Sequence, residues 1–202
     1  MSLRFNNISG GVCSSAMALL YPKIPCVIVD TGANYPEVWK TINQLRHKRI
    51  RIITLGSAIH DYSSYYDFVE KNHKKPFYTS CSEWAKQRHL DRFYKTISPV
   101  TVNIGYIKGE ENRAEQANKY STKSVRYNFP MLNYTREECI KIINKHNIIT
   151  APKTGCWFCG KKKPEDWAWL HEKHPILFQK ALTMDWGGTS LKTYLESQEQ
   201  KS

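Results

Sequence analysis

The opening segment constrains this chain more than any other. A short apolar start runs into Ser9-Gly10-Gly11-Val12-Cys13-Ser14-Ser15, and a second apolar run, Ile24 to Val29, ends in Asp30-Thr31-Gly32. A strand, a Gly-Gly-Ser loop, a helix and a second strand ending in an acid, in that order, form a cradle for phosphate. Paired glycines let backbone N–H groups approach an anion closely, and Ser14 and Ser15 add hydroxyls at the positive end of the following helix. The expected ligand is a nucleotide, its phosphates held by Ser9, Gly10, Gly11, Ser14 and Ser15, with Asp30, Thr31 and Gly32 beside it. Taken alone, the same residues also fit an ordinary strand-to-helix turn.

Apolar clusters then alternate with helical patterns. The spacing predicts strands near residues 3–8, 25–30, 50–55 and 100–107, and helices near 14–21, 35–48, 60–72, 82–96, 110–119 and 135–147, the last with Thr135 as N-cap. Such alternation implies an α/β fold, a Rossmann-like parallel sheet flanked by helices. Ligands of such sheets sit at the carboxyl ends of the strands, where the loops at Ser9, Asp30 and Gly105 would converge. With 202 residues, 41% of them hydrophobic, the chain can bury one sizeable core. Residues 1–132 read as a nucleotide-binding core and 133–202 as a small helical C-terminal part packed on it, with a frayed tail after Ser197.

Charge narrows the partners. Lysine and arginine number 30 against 18 acids, a net charge of +12, so an anionic partner larger than a nucleotide is expected, with nucleic acid, tRNA or DNA, leading. Solubility is the plainer use of the same lysines. The N-terminus lacks a signal-peptide pattern and no apolar run is long enough to span a bilayer, so a soluble cytoplasmic protein without a membrane partner is expected; a homodimer is compatible with this.

The six cysteines in this setting point to metal binding, catalysis or burial rather than disulfides. Cys26 and Cys139 lie in apolar patterns and read as buried. Gly155-Cys156-Trp157-Phe158-Cys159-Gly160 has the spacing that clamps one metal atom or one face of a cluster, a redox dithiol being the rival reading. Cys81 is the best third ligand. It stands in Thr79-Ser80-Cys81-Ser82-Glu83, where Ser80 and Glu83 fit a capping box, and a thiol in the first turn of a helix is drawn toward thiolate. His171 or His174 would complete a zinc site; an open fourth position would suit an iron–sulfur cluster.

The order of these motifs resembles a known family. Ser9-Gly10-Gly11-Val12-Cys13-Ser14 is similar to the pyrophosphate (PP) loop, Ser-Gly-Gly-x-Asp-Ser, of the ATP pyrophosphatase, or adenine nucleotide alpha hydrolase-like, superfamily. Asp30-Thr31-Gly32-Ala33-Asn34-Tyr35-Pro36-Glu37 resembles the Asp-Thr-Gly-x-x-x-Pro-Glu segment of its PAPS reductase branch, and Cys81 followed by Lys86, Arg88 and Arg92 resembles another segment of that branch. Gly105-Tyr106-Ile107-Lys108-Gly109-Glu110-Glu111-Asn112-Arg113 partly matches its Gly-x-Arg-x-x-Glu-x-x-Arg segment, and Trp167, Trp169, Leu170, His174-Pro175 and Leu177-Phe178 resemble phage and archaeal members.

That resemblance implies ATP and Mg²⁺ as cofactors, with Gly105 and Glu111 added to the nucleotide site and Lys108 and Arg113 clamping phosphate or a nucleic-acid backbone. As alternatives, Glu110 and Glu111 are simply good first-turn residues of a helix. In iron–sulfur tRNA thiolases of the superfamily, one lone Cys and one Cys-x-x-Cys hold a 4Fe-4S cluster, which implies Cys81, Cys156 and Cys159 here, with zinc as the alternative. Cys13 replaces the loop Asp, which either tolerates a small residue or gives Cys13 a part in sulfur chemistry. The C-terminal Glu-Cys-Gly-x-His of true PAPS reductases is missing, since no cysteine follows Cys159. The expected function is an ATP-dependent sulfurtransferase that adenylates a nucleic-acid or nucleobase acceptor, with Cys81, Cys13, Asp30 and Arg113 as catalytic residues and a separate sulfur donor. A PAPS or APS reductase, and a metal-stabilised nucleic-acid-binding protein with an inactive ATP site in which Trp157 and Phe158 stack on bases beside Lys161 to Lys163, are the alternatives.

Overall fold

The computed structural model describes residues 3–58, 62–72, 81–184 and 188–199. Its centre is a five-stranded, all-parallel sheet in the order β3-β2-β1-β4-β5, built from β1 (Leu3–Asn7), β2 (Cys26–Asp30), β3 (Ile52–Gly56), β4 (Val100–Ile104) and β5 (Val125–Asn128). Helices α1 (Val12–Leu20), α2 (Pro36–His47), α3 (Tyr65–Asn72), α4 (Arg88–Thr96) and α5 (Glu111–Asn118) lie between the strands, and α6 (Arg136–Lys145), α7 (Pro164–Lys173), α8 (Pro175–Thr183) and α9 (Gly188–Glu199) follow them. Strand order reverses between β1 and β4, each paired to β1 or its neighbour in parallel register. This is the switch point at which α/β sheets open a ligand crevice.

Both faces of the sheet are covered, as a parallel sheet requires. On β2, Cys26 and Ile28 enter one core and Val27 the other, following the two-residue alternation of a strand. The larger core holds Ala16, Met17, Val38, Ile42 and Leu45 together with Cys139, Trp167, Leu170 and Phe178, so the C-terminal helices share their interior with α1 and α2. The smaller core packs Phe5, Val27, Val100 and Val102 against Tyr94 of α4. Thr135 caps α6 in a reciprocal box with Glu138, and α6 packs on α1.

One strand escaped the sequence pattern. β5 is a four-residue edge strand, Val-Arg-Tyr-Asn, with alternate residues exposed, too short and too polar to stand out from a loop. The call of a cap at Ser80 lies outside the described residues. The chain is helical from Cys81, with a wider π-type turn over Glu83–Gln87 leading into α4, and no side chain caps that turn. Residues up to Glu199 of the predicted frayed tail belong to α9.

A row of asparagines crosses the sheet interior. Asn6, Asn103 and Asn128 stand opposite one another in the ladder. The Asn128 amide donates to Asn103 Oδ1 at 2.8 Å, and the Asn103 amide donates to Asn6 Oδ1 at 2.8 Å. Asn6 in turn donates to the Ile24 carbonyl at 3.4 Å. Asn6 and Asn103 are buried and Asn128 is exposed, so removing the middle one leaves Asn6 Oδ1 buried without its donor while Asn128 can turn to water. Asn103→Leu is expected to lower the unfolding free energy by about 1–3 kcal/mol in a denaturant titration; a loss below about 0.5 kcal/mol would show that the row carries no weight.

Candidate functional site

The phosphate loop leaves β1 where Ile8 N–H donates to Val27 O at 2.9 Å. Gly10 takes a left-handed φ of +78°, and a Cβ there would stand 3.1 Å from Val38 Cγ1 and 3.4 Å from the Val38 backbone. Gly11 is the N-cap of α1, with extended backbone and no side-chain cap, and α1 has no acid in its first turn. Its first N–H groups thus point outward without side-chain partners, at the positive end of the helix. Ser14 Oγ closes the loop from inside, accepting from Ser9 N–H at 3.1 Å and donating to Gly11 O at 3.2 Å. Ser15 Oγ is buried and lacks a hydrogen-bond partner, the single such atom among the described residues.

Gly105, after β4, lies directly under this loop: a Cβ would meet Ser14 Cα at 3.2 Å and Ser14 N at 3.3 Å. At the end of β2, Asp30 Oδ1 accepts from Gly32 N–H at 2.8 Å, and Thr31 donates from both N and Oγ1 to Asn34 Oδ1, at 2.9 and 2.8 Å. The loops at Ser9, Asp30 and Gly105 therefore meet at the carboxyl ends of the strands.

The cysteine-bearing loop docks on the second of these. Asn34 and Cys156 form an antiparallel bridge, Trp157 N–H donates to Ala33 O at 3.1 Å, and Thr31 Oγ1 lies 3.9 Å from Cys156 Sγ. Cys159 N–H donates back to Cys156 O at 3.1 Å, folding the pair into a tight turn. A recess of about 80 Å³ opens between these pieces, lined by Asn7, Ser9, Val27, Val29, Asn34 and Thr154, and by Lys86 and Leu90 from the π turn and α4. Thr154 overhangs the phosphate loop, its Cγ2 3.0 Å from where a Gly11 Cβ would be.

The cysteines divide by environment. Burial raises the Cys81 thiol, Cys159 raises it further, and Lys161, the Ser82 backbone and Lys86 pull the other way. The expectation of a dipole-favoured thiolate at Cys81 is corrected: desolvation outweighs the helix end. Cys156 is raised by burial against the pull of Lys86 and Thr31, and it too feels Cys159 and Cys81. The three thiols thus share one neighbourhood, although among the described residues no group of three or more His, Cys, Asp or Glu side chains is arranged to hold a single metal ion. Lys162 is buried, donates to the Tyr35 hydroxyl at 2.5 Å and lies over the Tyr35 and Trp167 rings. Burial lowers its pKa while Cys159, Asp166 and Cys156 favour its charge.

Other predicted residues are placed elsewhere. Cys13 turns to α6, where its thiol hydrogen-bonds with Cys139, and burial raises its pKa. Arg113 pairs with Glu110 and stacks on Tyr106, 4.5 Å from the ring centroid, and Glu111 Oε1 accepts from Gly109 N–H at 2.9 Å. Both thus serve the start of α5. His171 binds the Tyr194 hydroxyl at 2.8 Å, and His174 contacts Glu37 at 3.1 Å. Trp157 and Phe158 are buried against Tyr66, so the expectation that they stack on bases is overturned. The site residues absent from the predicted set are Lys86, Asn34 and Thr154. Lys86 lies five residues after Cys81 and Thr154 two before Cys156, so each was adjacent to a motif already read.

A family model described as "Phosphoadenosine phosphosulfate reductase domain" matches residues 5–152. The chain belongs to the PAPS reductase family. PAPS reductase from Candida auris, solved with phosphate, is 12% identical and superposes over 78% of this chain and 82% of its own, with a TM-score of 0.60. The U34-tRNA thiolase NcsA from Methanococcus maripaludis, solved with its [4Fe-4S] cluster, is 13% identical, covers 91% of this chain and 71% of its own, and has a TM-score of 0.53. Among curated proteins none matches in sequence. The likenesses establish the fold, a parallel sheet flanked by helices. No helix among the described residues is long and apolar enough to cross a membrane.

Two tests address the site's framework. Gly10→Ala forces an L-residue into φ +78° against Val38, and is expected to cost about 1–3 kcal/mol in thermal unfolding and to abolish ATP binding measured by calorimetry. Asp166, paired with Lys153 of the Thr154 loop, is raised by burial but held below the usual carboxylate value by Lys153 and the Lys163 backbone. A depressed folded pKa stabilises above about pH 4 and is lost as pH falls through it. Lys153→Gln should therefore melt lower than wild type at pH 6, with the gap closing below about pH 4; a gap independent of pH would contradict the pairing.

Proposed function

We propose that this chain is an ATP-dependent sulfurtransferase that adenylates a nucleic-acid or nucleobase acceptor. The observation that carries the reading is the recess in which the phosphate loop, Lys86 and Thr154 meet, with Cys81 and Cys156 in electrostatic reach of Lys86. An acceptor oxygen attacks the α-phosphorus of ATP, and the bond to pyrophosphate breaks. The N–H groups of α1 and the hydroxyl of Ser9 receive the departing charge. Lys86 faces the same charge, and the free oxygen of Asp30 lies beside the nucleotide, where Mg²⁺ would neutralise the phosphates. A sulfur nucleophile from a separate donor then attacks the activated acceptor carbon, and AMP leaves with the acceptor oxygen.

The donor set fits a polynuclear group. Cys81, Cys156 and Cys159 act on one another electrostatically, and Lys86 and Lys161 supply positive charge beside them, which suits an anionic cluster. Cys81, Cys156 and Cys159 would hold a 4Fe-4S cluster, which supplies an iron open to carry sulfur.

The family match favours a second reading, reduction of a sulfonucleotide by an external thiol. One assay separates the two. Incubated without oxygen with ATP, a sulfide source and either bulk tRNA or single-stranded DNA, the protein is expected to release AMP and pyrophosphate, and Gly11→Val, which drives a side chain against Thr154, is expected to cut this at least about 100-fold without unfolding the protein. Sulfite released from PAPS or APS, without AMP formation from ATP, would establish the second reading. ADP as product would contradict both.

A further inference from the structure

The end of the sheet opposite the phosphate loop carries exposed positive charge on two of its strands. In the parallel ladder Arg4 stands opposite Thr101, and Thr101 opposite Arg126, so the three lie side by side on one face. This row is the next on that face below the asparagines, since Arg4 and Asn6, Thr101 and Asn103, and Arg126 and Asn128 are each two residues apart. The asparagine row closes inward, with Asn6 and Asn103 buried, whereas Arg4 and Arg126 are exposed. Beside the row a recess of about 220 Å³ is lined by Pro99, Val100, Thr101, Lys123 and Arg126.

Charge makes this arrangement informative. Among the described residues, no ion pair involves Arg4, Lys123 or Arg126. The two arginines are two strands apart, about 10 Å, a distance at which like charges repel. A hydroxyl-bearing residue lies between them and a third cation at the rim of the recess. An anion with several negative oxygens relieves the repulsion, and guanidinium groups bind phosphate oxygens in pairs. Thr101 is four residues below Gly105 on the strand that reaches the phosphate loop, about 13 Å along the sheet.

We propose that Arg4, Thr101, Lys123 and Arg126 form a second contact for the acceptor nucleic acid, gripping its phosphodiesters while the reacting base lies at the opposite end of the sheet. This rests on the acceptor being nucleic acid. The row holds the backbone and reads no sequence, so it adds affinity and a steep salt dependence without base preference.

The test is the anisotropy of a fluorescent 20-nucleotide single strand, in RNA and DNA form, titrated with wild-type protein and with the Arg4→Gln, Lys123→Gln, Arg126→Gln triple variant at several salt concentrations. All three positions are exposed, and melting temperature and ATP binding check that the fold and the phosphate loop are intact. Losing three phosphate contacts is expected to flatten the slope of log K against log salt by about 2, and to weaken binding about 100-fold at 0.1 M salt. An Arg4→Lys, Arg126→Lys variant, which keeps the charge, should retain most of the slope. Equal slopes for wild type and triple variant would overturn the site while leaving a nucleic-acid acceptor in place. A wild type that binds neither strand would remove the nucleic-acid acceptor itself, and the site with it.

Discussion

The site depends on one docking contact. The bridge between Asn34 and Cys156, reinforced by Trp157 N–H on Ala33 O, fastens the cysteine loop to the turn that follows β2. Without it Cys156 and Cys159 and the phosphate loop belong to different parts of the chain, separated by well over a hundred residues. With it, Thr154 hangs over Gly11, Cys156 meets Thr31, and the recess acquires its far wall. Trp157 and Phe158 are what hold the contact shut. They bury themselves against Tyr65 and Tyr66, and their large apolar area makes the loop's position part of the main core.

Electrostatics follow from that closure. Burying thiols raises their pKa values, and the lysines around them offset this. Lys86 acts on Cys81 and Cys156, and Lys161 on Cys81, while burial lowers the Lys162 pKa against the opposing pull of Cys159, Asp166 and Cys156. Lys86 also lines the nucleotide recess, so one cation serves both halves of the site. It comes from a π-type turn, a distortion that shifts the phase of the side chains after it and is common where a helix carries function.

Much of this was legible in the sequence because it is local. The Ser9 to Ser15 loop, the Asp30 turn and the Cys-x-x-Cys turn each announce themselves by residue type, and apolar runs mark four of the strands. What was not legible is decided by long-range pairing. β5 is a strand because β4 offers it a ladder, not because Val-Arg-Tyr-Asn prefers extension. The asparagine row is invisible until Asn6, Asn103 and Asn128 fall into register. The same holds for Trp157 and Phe158, whose neighbouring lysines suggest a surface that the docking contact turns inward, and for Cys81, whose helix end is outweighed by burial.

The central claim is that the three thiols form one centre beside the nucleotide. The most direct measurement is iron, zinc and acid-labile sulfide per chain in protein purified without oxygen, for wild type and Cys156→Ala. The account predicts about four irons and four sulfides in the wild type, lost in the variant while ATP still binds. About one zinc without sulfide, or a metal content unchanged by the substitution, would contradict it.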